Sequence, residues 1–144
     1  AYCGVGLFAL ALAGRAEKCF GIEPAPDAIR AARETAGEHG IRNVDFLGGT
    51  AEVALDNLWP HCRAEKTAVL LDPPRSGCSG QVLRSVCAFR PARIMYLSCV
   101  PPILARDAAH LANAGYRLET VTPYDMFPQT GHCEAMAVFK PVET

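Results

Sequence analysis

A cysteine and a glutamate that lie 35 residues apart are the residues of this chain best suited to chemistry. Cys99 lies in YLSCVPP, where an apolar run meets two prolines, and Glu134 lies in MFPQTGHCE, a segment rich in turn-forming residues. A thiolate can attack an electrophilic carbon, and a nearby carboxylate can move a proton. The two residues are therefore a candidate nucleophile and base, and the ordinary alternative is that both only pack.

A glycine turn near the start of the chain is a second candidate feature. Gly4 and Gly6 precede a helical run at 7–13, so a ligand could approach the backbone where a side chain would clash. Glu23 ends the next predicted strand 17 residues after Gly6, and an acid there can accept hydrogen bonds from ribose hydroxyls. A plain tight turn and a helix-capping acid are the alternatives. S-adenosylmethionine and adenine dinucleotides both fit this pattern.

The segment LLDPPRSG places an acid and two prolines after another predicted strand. The prolines stiffen the loop, so its carbonyls and Asp72 can point into a cleft for cofactor and substrate. A hydride-transfer enzyme has no evident need of such a loop, whereas the segment resembles methyltransferase sequences. Amino-methylating members of that superfamily usually have an aromatic residue where this chain has Arg75, which argues against that branch.

Apolar strand-like runs alternate with helical patterns, which predicts parallel β-α units in one α/β domain. Strands are predicted at 18–23, 44–47, 67–72, 94–98, 116–123 and 135–139. Helices are predicted at 26–39, 50–58, 79–89 and 102–114. The glycine turn has no strand before it, although such a turn normally follows one. We therefore expect the 144 residues to be the carboxyl-terminal part of a longer protein.

Composition argues against several classes of protein. The net charge is −1, and no apolar run reaches the roughly 20 residues that cross a bilayer, so we expect no membrane association. The seven cysteines form no C-x-x-C pair and are odd in number, which argues against a zinc site and a disulfide framework. Reduced thiols of this kind are typical of the cytoplasm. Residues 75–106 hold five arginines and no acid, and these could contact phosphates or simply coat helices.

Taken in order, these blocks make the chain similar to the catalytic domain of the RNA uracil-5-methyltransferase family. The resemblance is carried by YCGVGLFALALA, GIEPAPDAIRAAR, GIRNVDFLGGTAE, LDPPRSGC, YLSCVPPILARD and PYDMFPQTGHCEAMAVF. It implies a Rossmann-like class I methyltransferase fold, a mostly parallel twisted sheet with helices on both faces, here with the first strand missing or truncated. It also implies transfer of a methyl group from S-adenosylmethionine to carbon 5 of a uridine in rRNA or tRNA.

The resemblance also implies roles for individual residues. Cys99 would add to carbon 6 of uracil, and Glu134 would remove the proton from carbon 5. Arg75 and Gln129 could hold the uracil oxygens, and His132 could assist proton transfer or orient the site. The residues implied at the cofactor are Gly4, Gly6, Glu23 and Ala51, with Asp72 at the sulfonium end and Thr50 and Glu52 beside Ala51.

The chain departs from the family pattern in two places. Val100 follows the cysteine where the family usually has asparagine, so either another group orients the site or activity is weakened. The amino-terminal RNA-binding region of the family is absent, so we expect the 144 residues alone to methylate RNA poorly. The full-length protein is expected to act as a cytoplasmic monomer on RNA.

Two other functions fit parts of the sequence. A nucleotide-dependent oxidoreductase would use the same glycine turn, but it would leave LDPPRSG and the pair Cys99 and Glu134 without a purpose. A non-catalytic RNA-binding or scaffold protein of the same fold would explain Val100, but it has no need to retain Cys99 and Glu134.

Overall fold

The computed structural model describes residues 1–126, 128–130 and 133–142, in which helices and strands alternate. The α-helices are α1 (Leu7–Leu12), α2 (Pro26–Glu38), α3 (Ala51–Leu58), α4 (Gly80–Phe89) and α5 (Pro101–Asn113). The strands are β1 (Cys19–Glu23), β2 (Val44–Gly48), β3 (Ala68–Leu71), β4 (Arg93–Ser98), β5 (Tyr116–Tyr124) and β6 (Glu134–Pro141). No helix within the described ranges is long and apolar enough to cross a membrane.

The chain divides into two compact units, Ala1–Asn57 and Leu58–Thr144. The first unit contains a parallel pair, β1 and β2. The second contains a sheet in the order β3-β4-β6-β5, in which β3 and β4 are parallel and β6 runs antiparallel to both of its neighbours. The parallel pairs agree with the predicted β-α units. The antiparallel end departs from the mostly parallel sheet, because a strand that returns through a loop rather than a helix pairs in the opposite direction.

The core of the first unit lies between α2 and its two strands. Ile29, Ala32 and Ala36 are buried at helical spacing, and they pack with Val44 and Phe46, which alternate along β2. Pro26 starts α2, where its fixed φ suits the first helical turn and its missing N–H costs nothing. This packing supports the ends of β1 and β2, where the predicted cofactor residues begin.

The core of the second unit lies on alternate residues of its central strands. Ile94, Tyr96 and Ser98 of β4 are buried, as every second residue of a half-covered strand should be. The partner strand β6 buries Ala135, Ala137 and Phe139 in the same way. Its first residue, Glu134, pairs with Tyr124 of β5, and the next residue, Ala135, pairs with both β4 and β5.

Candidate active site

The predicted nucleophile and base lie at the same edge of the second sheet. β4 and β6 are antiparallel, and the last pair in their register is Ser98↔Ala135. Cys99 follows Ser98 and Glu134 precedes Ala135, so the two residues occupy the next positions along neighbouring strands. Residues that face each other in an antiparallel pair have Cα atoms about 4.5–5.5 Å apart. The topology thus brings the candidate nucleophile beside the candidate base.

Asp72 comes to this edge from the other side of β4. The parallel register of β3 and β4 ends at Leu71↔Tyr96, so Asp72 leaves β3 at the level of Leu97. Partial burial raises the pKa of Asp72 above its ordinary value of 3.8. A carboxyl group held where its charge is disfavoured is typical of a functional position.

The prolines after Asp72 lead into a tight turn. The Gly77 N–H donates to the Pro74 carbonyl at 2.8 Å, which closes the turn around Arg75. Arg75 is exposed, while Pro73 is buried beneath it. The guanidinium is therefore presented to solvent from a stiff loop, as recognition of a substrate oxygen requires.

A single hydroxyl holds the turn that contains Cys99. The buried Ser98 Oγ accepts from the Val100 N–H at 3.1 Å and lies 3.2 Å from the Val100 carbonyl oxygen, to which it can donate. Val100 is the N-cap of α5, and Pro101 begins the helix. Ser98 therefore fastens the backbone at 100, so this contact does not depend on an amide side chain there. The half-buried Cys99 lies one residue before the N-cap of α5.

The predicted substrate residue Gln129 lies between β5 and β6. It is exposed and has a φ of 64°, a left-handed conformation that is uncommon for a residue other than glycine. Such backbone conformations occur often at functional sites. His132, the other predicted residue of this segment, lies outside the described residues.

The first unit joins Gly4 to Glu23. The Gly4 N–H donates to Glu23 Oε2 at 3.0 Å, and the Ala25 N–H donates to Oε1 at 3.1 Å. Gly6 has a φ of 85°, and a Cβ there would lie 2.7 Å from the Phe46 ring, so this position requires glycine. The predicted glycine turn and acid therefore form one arrangement at the end of β1.

The loop after β2 returns to the same place. The Gly49 N–H donates to the Glu23 carbonyl at 3.1 Å, and the Thr50 carbonyl accepts the first hydrogen bonds of α3. Ala51, the first residue of α3, is buried at 2 % exposure, and Glu52 follows it. Thr50, Ala51 and Glu52, which were predicted at the cofactor, are thus held close to the end of β1.

An open cleft in the first unit has a volume of about 550 Å³. Its lining residues are Pro24, Pro26, Ile29, Arg30, Arg33, Glu34 and Gly48. None of the predicted site residues is among them. The candidate site is therefore defined by the ends of strands and not by this cavity.

The cysteines other than Cys99 are in ordinary packing environments. All seven are free thiols, and Cys78 is buried. Burial raises the pKa of the thiols of Cys3, Cys19, Cys62 and Cys87. Within residues 1–126, 128–130 and 133–142, no group of three or more His, Cys, Asp or Glu side chains could hold a metal ion.

The family model described as tRNA (uracil-5-)-methyltransferase matches residues 1–141. The chain belongs to the tRNA (uracil-5-)-methyltransferase family. This membership confirms the resemblance seen in the sequence. It favours a methyltransferase over the nucleotide-dependent oxidoreductase that the glycine turn alone would allow.

Named members of the tRNA (uracil-5-)-methyltransferase family are similar to nearly the whole chain. An uncharacterized RNA methyltransferase of Oceanobacillus iheyensis is 42% identical over 95% of this chain and 30% of its own length. The 23S rRNA (uracil(1939)-C(5))-methyltransferase RlmD of Salmonella typhimurium is 41% identical over 96% of this chain and 32% of its own length. The chain therefore spans about a third of the length of the curated relatives it matches.

A solved structure of the same kind shares the fold. Pyrococcus abyssi tRNA (uracil-54, C5)-methyltransferase in complex with S-adenosyl-L-homocysteine has a TM-score of 0.81 and 29% identity, over 96% of this chain and 32% of that chain. The chain thus has the class I methyltransferase fold, as predicted. The roles of the individual family positions remain predictions, and the contact of Ser98 with Val100 is one that sequence reasoning missed.

Proposed function

We propose that this protein methylates carbon 5 of a uridine in rRNA or tRNA, with S-adenosylmethionine as the methyl donor. The observation that supports the proposal is the register of β4 and β6, whose last pair, Ser98↔Ala135, lies one residue from Cys99 and one residue from Glu134. Methylation at this carbon needs both groups, because carbon 5 of uracil is a poor nucleophile until a thiolate adds to carbon 6. A residue must then take the proton that carbon 5 loses.

The chemistry of the first unit fits a nucleoside cofactor. Each oxygen of Glu23 accepts one backbone N–H, and a carboxylate can accept about four hydrogen bonds in all, so capacity remains for ribose hydroxyls. A Cβ on Gly4 would meet no atom within 4 Å, so open space lies before that backbone. Gly4, Gly6, Glu23 and Ala51 would hold the nucleoside, and the negative charge of Asp72 suits a sulfonium. The bound cofactor supplies an electrophilic methyl group.

The residues of the second unit would carry the reaction on uracil. The Cys99 sulfur forms a bond to carbon 6, and the electrons of the ring double bond move to the carbonyl oxygen at carbon 4 as an enolate. Arg75 and Gln129 can stabilise that negative charge. After carbon 5 has taken the methyl group, Glu134 accepts its proton. The electrons left at carbon 5 restore the double bond and expel the Cys99 thiolate.

The names of the relatives support an RNA substrate of this kind. One relative is named for uracil 1939 of 23S rRNA and a solved structure is named for uracil 54 of tRNA. Both names specify carbon 5 of uracil in RNA. The RNA of this protein is therefore proposed as a class, and the experiment below identifies the nucleotide.

The test uses the complete gene product and RNA from a strain that lacks the gene. Mass spectrometry of the RNA after incubation with S-adenosylmethionine should detect 5-methyluridine at one position. Cys99→Ala should abolish its formation, and Glu134→Gln should accumulate a covalent enzyme–RNA adduct because the last proton is not removed.

Two controls make the result specific. Cys87→Ala removes a half-buried thiol of α4 and should leave turnover unchanged. RNA that contains 5-fluorouridine should trap the wild type as an adduct, and it should not trap Cys99→Ala. Turnover by Cys99→Ala at the rate of the wild type would exclude the mechanism.

A further inference from the structure

A buried aspartate on α5 lies two helical turns after Cys99. Asp107 is 1 % exposed and occupies the apolar stripe of the helix between Leu104 and Leu111, which are also buried. A carboxyl group is rarely so buried unless it is paired. Its burial therefore needs an explanation in the contacts it makes.

Both oxygens of Asp107 accept hydrogen bonds from different parts of the second unit. Tyr96 of β4 donates its hydroxyl to Oδ2 at 2.5 Å, and the Cys78 N–H donates to the same oxygen at 3.0 Å. Arg106 donates from Nε to Oδ1 at 2.7 Å. The carboxylate thus links β4 and α5 to the loop that follows Asp72.

Arg106 fastens the same loop from a second direction. Its Nη2 donates to the Ser76 carbonyl at 3.0 Å and to the Cys78 carbonyl at 3.4 Å. Gly77, between them, has a φ of 80°, and a Cβ there would lie 2.6 Å from Arg106 Nη2 and 2.6 Å from Asp107 Oδ2. The backbone at 76–78 is therefore pressed directly against α5.

The direction of the hydrogen bonds around Tyr96 is well defined. Burial, and then the hydrogen bond to Asp107, raise the pKa of the Tyr96 hydroxyl far above its usual range. The hydroxyl therefore stays protonated, donates to Asp107 and accepts from the Cys78 N–H at 3.1 Å. The Cys78 N–H donates to both the Tyr96 hydroxyl and the Asp107 carboxylate, so these two contacts hold the loop in one position.

The position of this cluster relates it to the reaction. Tyr96 precedes Cys99 by three residues on the same strand, and α5 begins two residues after Cys99. The loop held at Ser76 begins at Asp72 and contains Arg75. We infer that Asp107, with Arg106 and Tyr96, is a positioning cluster that fixes Arg75 and Asp72 relative to Cys99 for methyl transfer, an inference that rests on the proposed function.

Stability alone does not require this arrangement. Only the aspartate of the Arg106–Asp107 pair is buried, and replacing desolvated charges by apolar residues of similar volume often leaves stability unchanged or improves it. An apolar residue at 107 would continue the stripe of Leu104 and Leu111 without any desolvated charge. What it could not do is bind the backbone at Cys78 and the hydroxyl of Tyr96 together.

The test compares two buried tyrosines in the complete gene product. Tyr96→Phe removes only the hydroxyl of the cluster. Tyr116→Phe is the matched control, because Tyr116 is also buried and its hydroxyl donates to the Pro91 carbonyl at 3.2 Å, at the opposite end of the sheet. Thermal unfolding, the Kd of S-adenosylmethionine, the KM for RNA and kcat are measured for both variants well below their Tm.

We expect Tyr96→Phe to lose at least as much thermal stability as Tyr116→Phe, because the Tyr96 hydroxyl makes two hydrogen bonds, one of them to a carboxylate. Only Tyr96→Phe should lower kcat, by about tenfold to a hundredfold, because a misplacement of about 1 Å at a reacting centre has that effect. The Kd of the cofactor and the KM for RNA should change less than kcat, since the residues that bind are kept and only their alignment with Cys99 is lost. Asp107→Asn should lower kcat further. Arg106→Lys should retain less than full kcat, because an ammonium group cannot contact Asp107 and the loop at the same time as a guanidinium can.

The outcomes separate this inference from the proposed function. Equal kcat for Tyr96→Phe, Tyr116→Phe and the wild type would overturn the positioning cluster and leave the methyltransferase proposal intact. A loss of kcat that merely follows the loss of stability in both tyrosine variants would overturn it as well. Absence of 5-methyluridine with the wild type would overturn the proposed function and this inference with it.

Discussion

At the residue scale, the turn after β4 depends on Ser98. Its hydroxyl hydrogen-bonds both the N–H and the carbonyl of Val100, so it holds the backbone there without help from the side chain at 100. Ser98→Ala leaves those groups with a lost partner, and we expect it to lower the free energy of unfolding by about 1–2 kcal/mol. It should also slow methylation, because Cys99 lies inside the same turn.

Urea denaturation and single-turnover methylation check this prediction. Ser98→Thr keeps the hydroxyl and is the conservative comparison. Wild-type values of both quantities in Ser98→Ala would show that the backbone at Val100 is held in another way.

Asp72 is the residue whose charge the fold opposes. Its pKa is raised by burial, so the folded protein holds a proton more tightly than the unfolded chain does. The free energy of unfolding therefore falls as the pH rises from about 4 through the raised pKa. Asp72→Asn lacks this dependence, so its stability relative to the wild type should rise as the pH increases from about 4 through the raised pKa of Asp72.

The same variant should lose affinity for S-adenosylmethionine, because the charge that suits the sulfonium is gone. Denaturation at several pH values and calorimetric titration of the cofactor measure the two effects. Asp125→Asn, which changes an exposed acid, is the control. If the difference in stability between Asp72→Asn and the wild type did not change with pH, the raised pKa of Asp72 would be refuted.

The candidate residues could be predicted from sequence where strand ends define them. Cys99, Asp72 and Glu134 each stand next to a strand, and strand ends collect at a sheet edge. Ser98 and Asp107 could not be predicted in the same way, because their roles depend on which backbone groups the turn and the loop present. A signal existed for Asp107, which is an acid at the spacing of the buried leucines of α5.

At the element scale, helix and strand bounds agree closely with prediction. The helix predicted at 102–114 is α5, Pro101–Asn113, which starts one residue earlier because proline is well suited to the first helical position. The strand predicted at 135–139 is β6, Glu134–Pro141. It is longer than its apolar run because Glu134, Lys140 and Pro141 also pair with β5. Hydrophobic periodicity reports the buried residues of a strand and not its hydrogen-bonded length.

At Gly77 the loop after β3 packs against α5 so closely that no side chain fits between them. Gly77→Ala would require a side chain in the left-handed region, which costs about 1–2 kcal/mol, and would set a Cβ 2.5 Å from Ile103 Cγ2. We therefore expect a loss of stability above that value and a fall in kcat as the loop moves off α5.

Gly80→Ala is the comparison for this change in the same unit. Its Cβ would meet only the end of the Arg84 side chain, at 3.1 Å, which can move away. Chemical denaturation should rank the two alanine variants clearly. A Gly77→Ala protein as stable as Gly80→Ala would mean that the loop does not press on the helix.

At the scale of the whole molecule, the five arginines of residues 75–106 offer less charge to a phosphate than their number indicates. Arg106 is paired with Asp107, Arg90 donates to the Val142 carbonyl at 2.9 Å, and Arg93 lies 4.0 Å from Glu119. All five arginines are exposed, so these contacts engage part of each guanidinium without burying it. A count of charges along the sequence does not show that three of these arginines contact carbonyl groups and acids of the protein itself.

A double variant tests how this charge is used. Arg90→Gln combined with Arg93→Gln should change the slope of log affinity for RNA against log salt by less than one phosphate contact contributes, because both exposed guanidinium groups are already engaged in part, by the Val142 carbonyl and by Glu119. Each lost phosphate contact would change that slope by about 0.7–0.9. A change of about that size or larger, measured by filter binding over a range of salt, would place RNA on this side of the molecule.

The raised thiol pKa values of the packing cysteines have a practical consequence. Electrophilic probes react with thiolates, so Cys3, Cys19, Cys62 and Cys87 are poor targets at neutral pH, and Cys78 is buried. A mild haloacetamide should therefore react more slowly with these five thiols in the folded protein than in the unfolded chain. The rate at which they are labelled would thus report on unfolding of the parts of the protein that cover them.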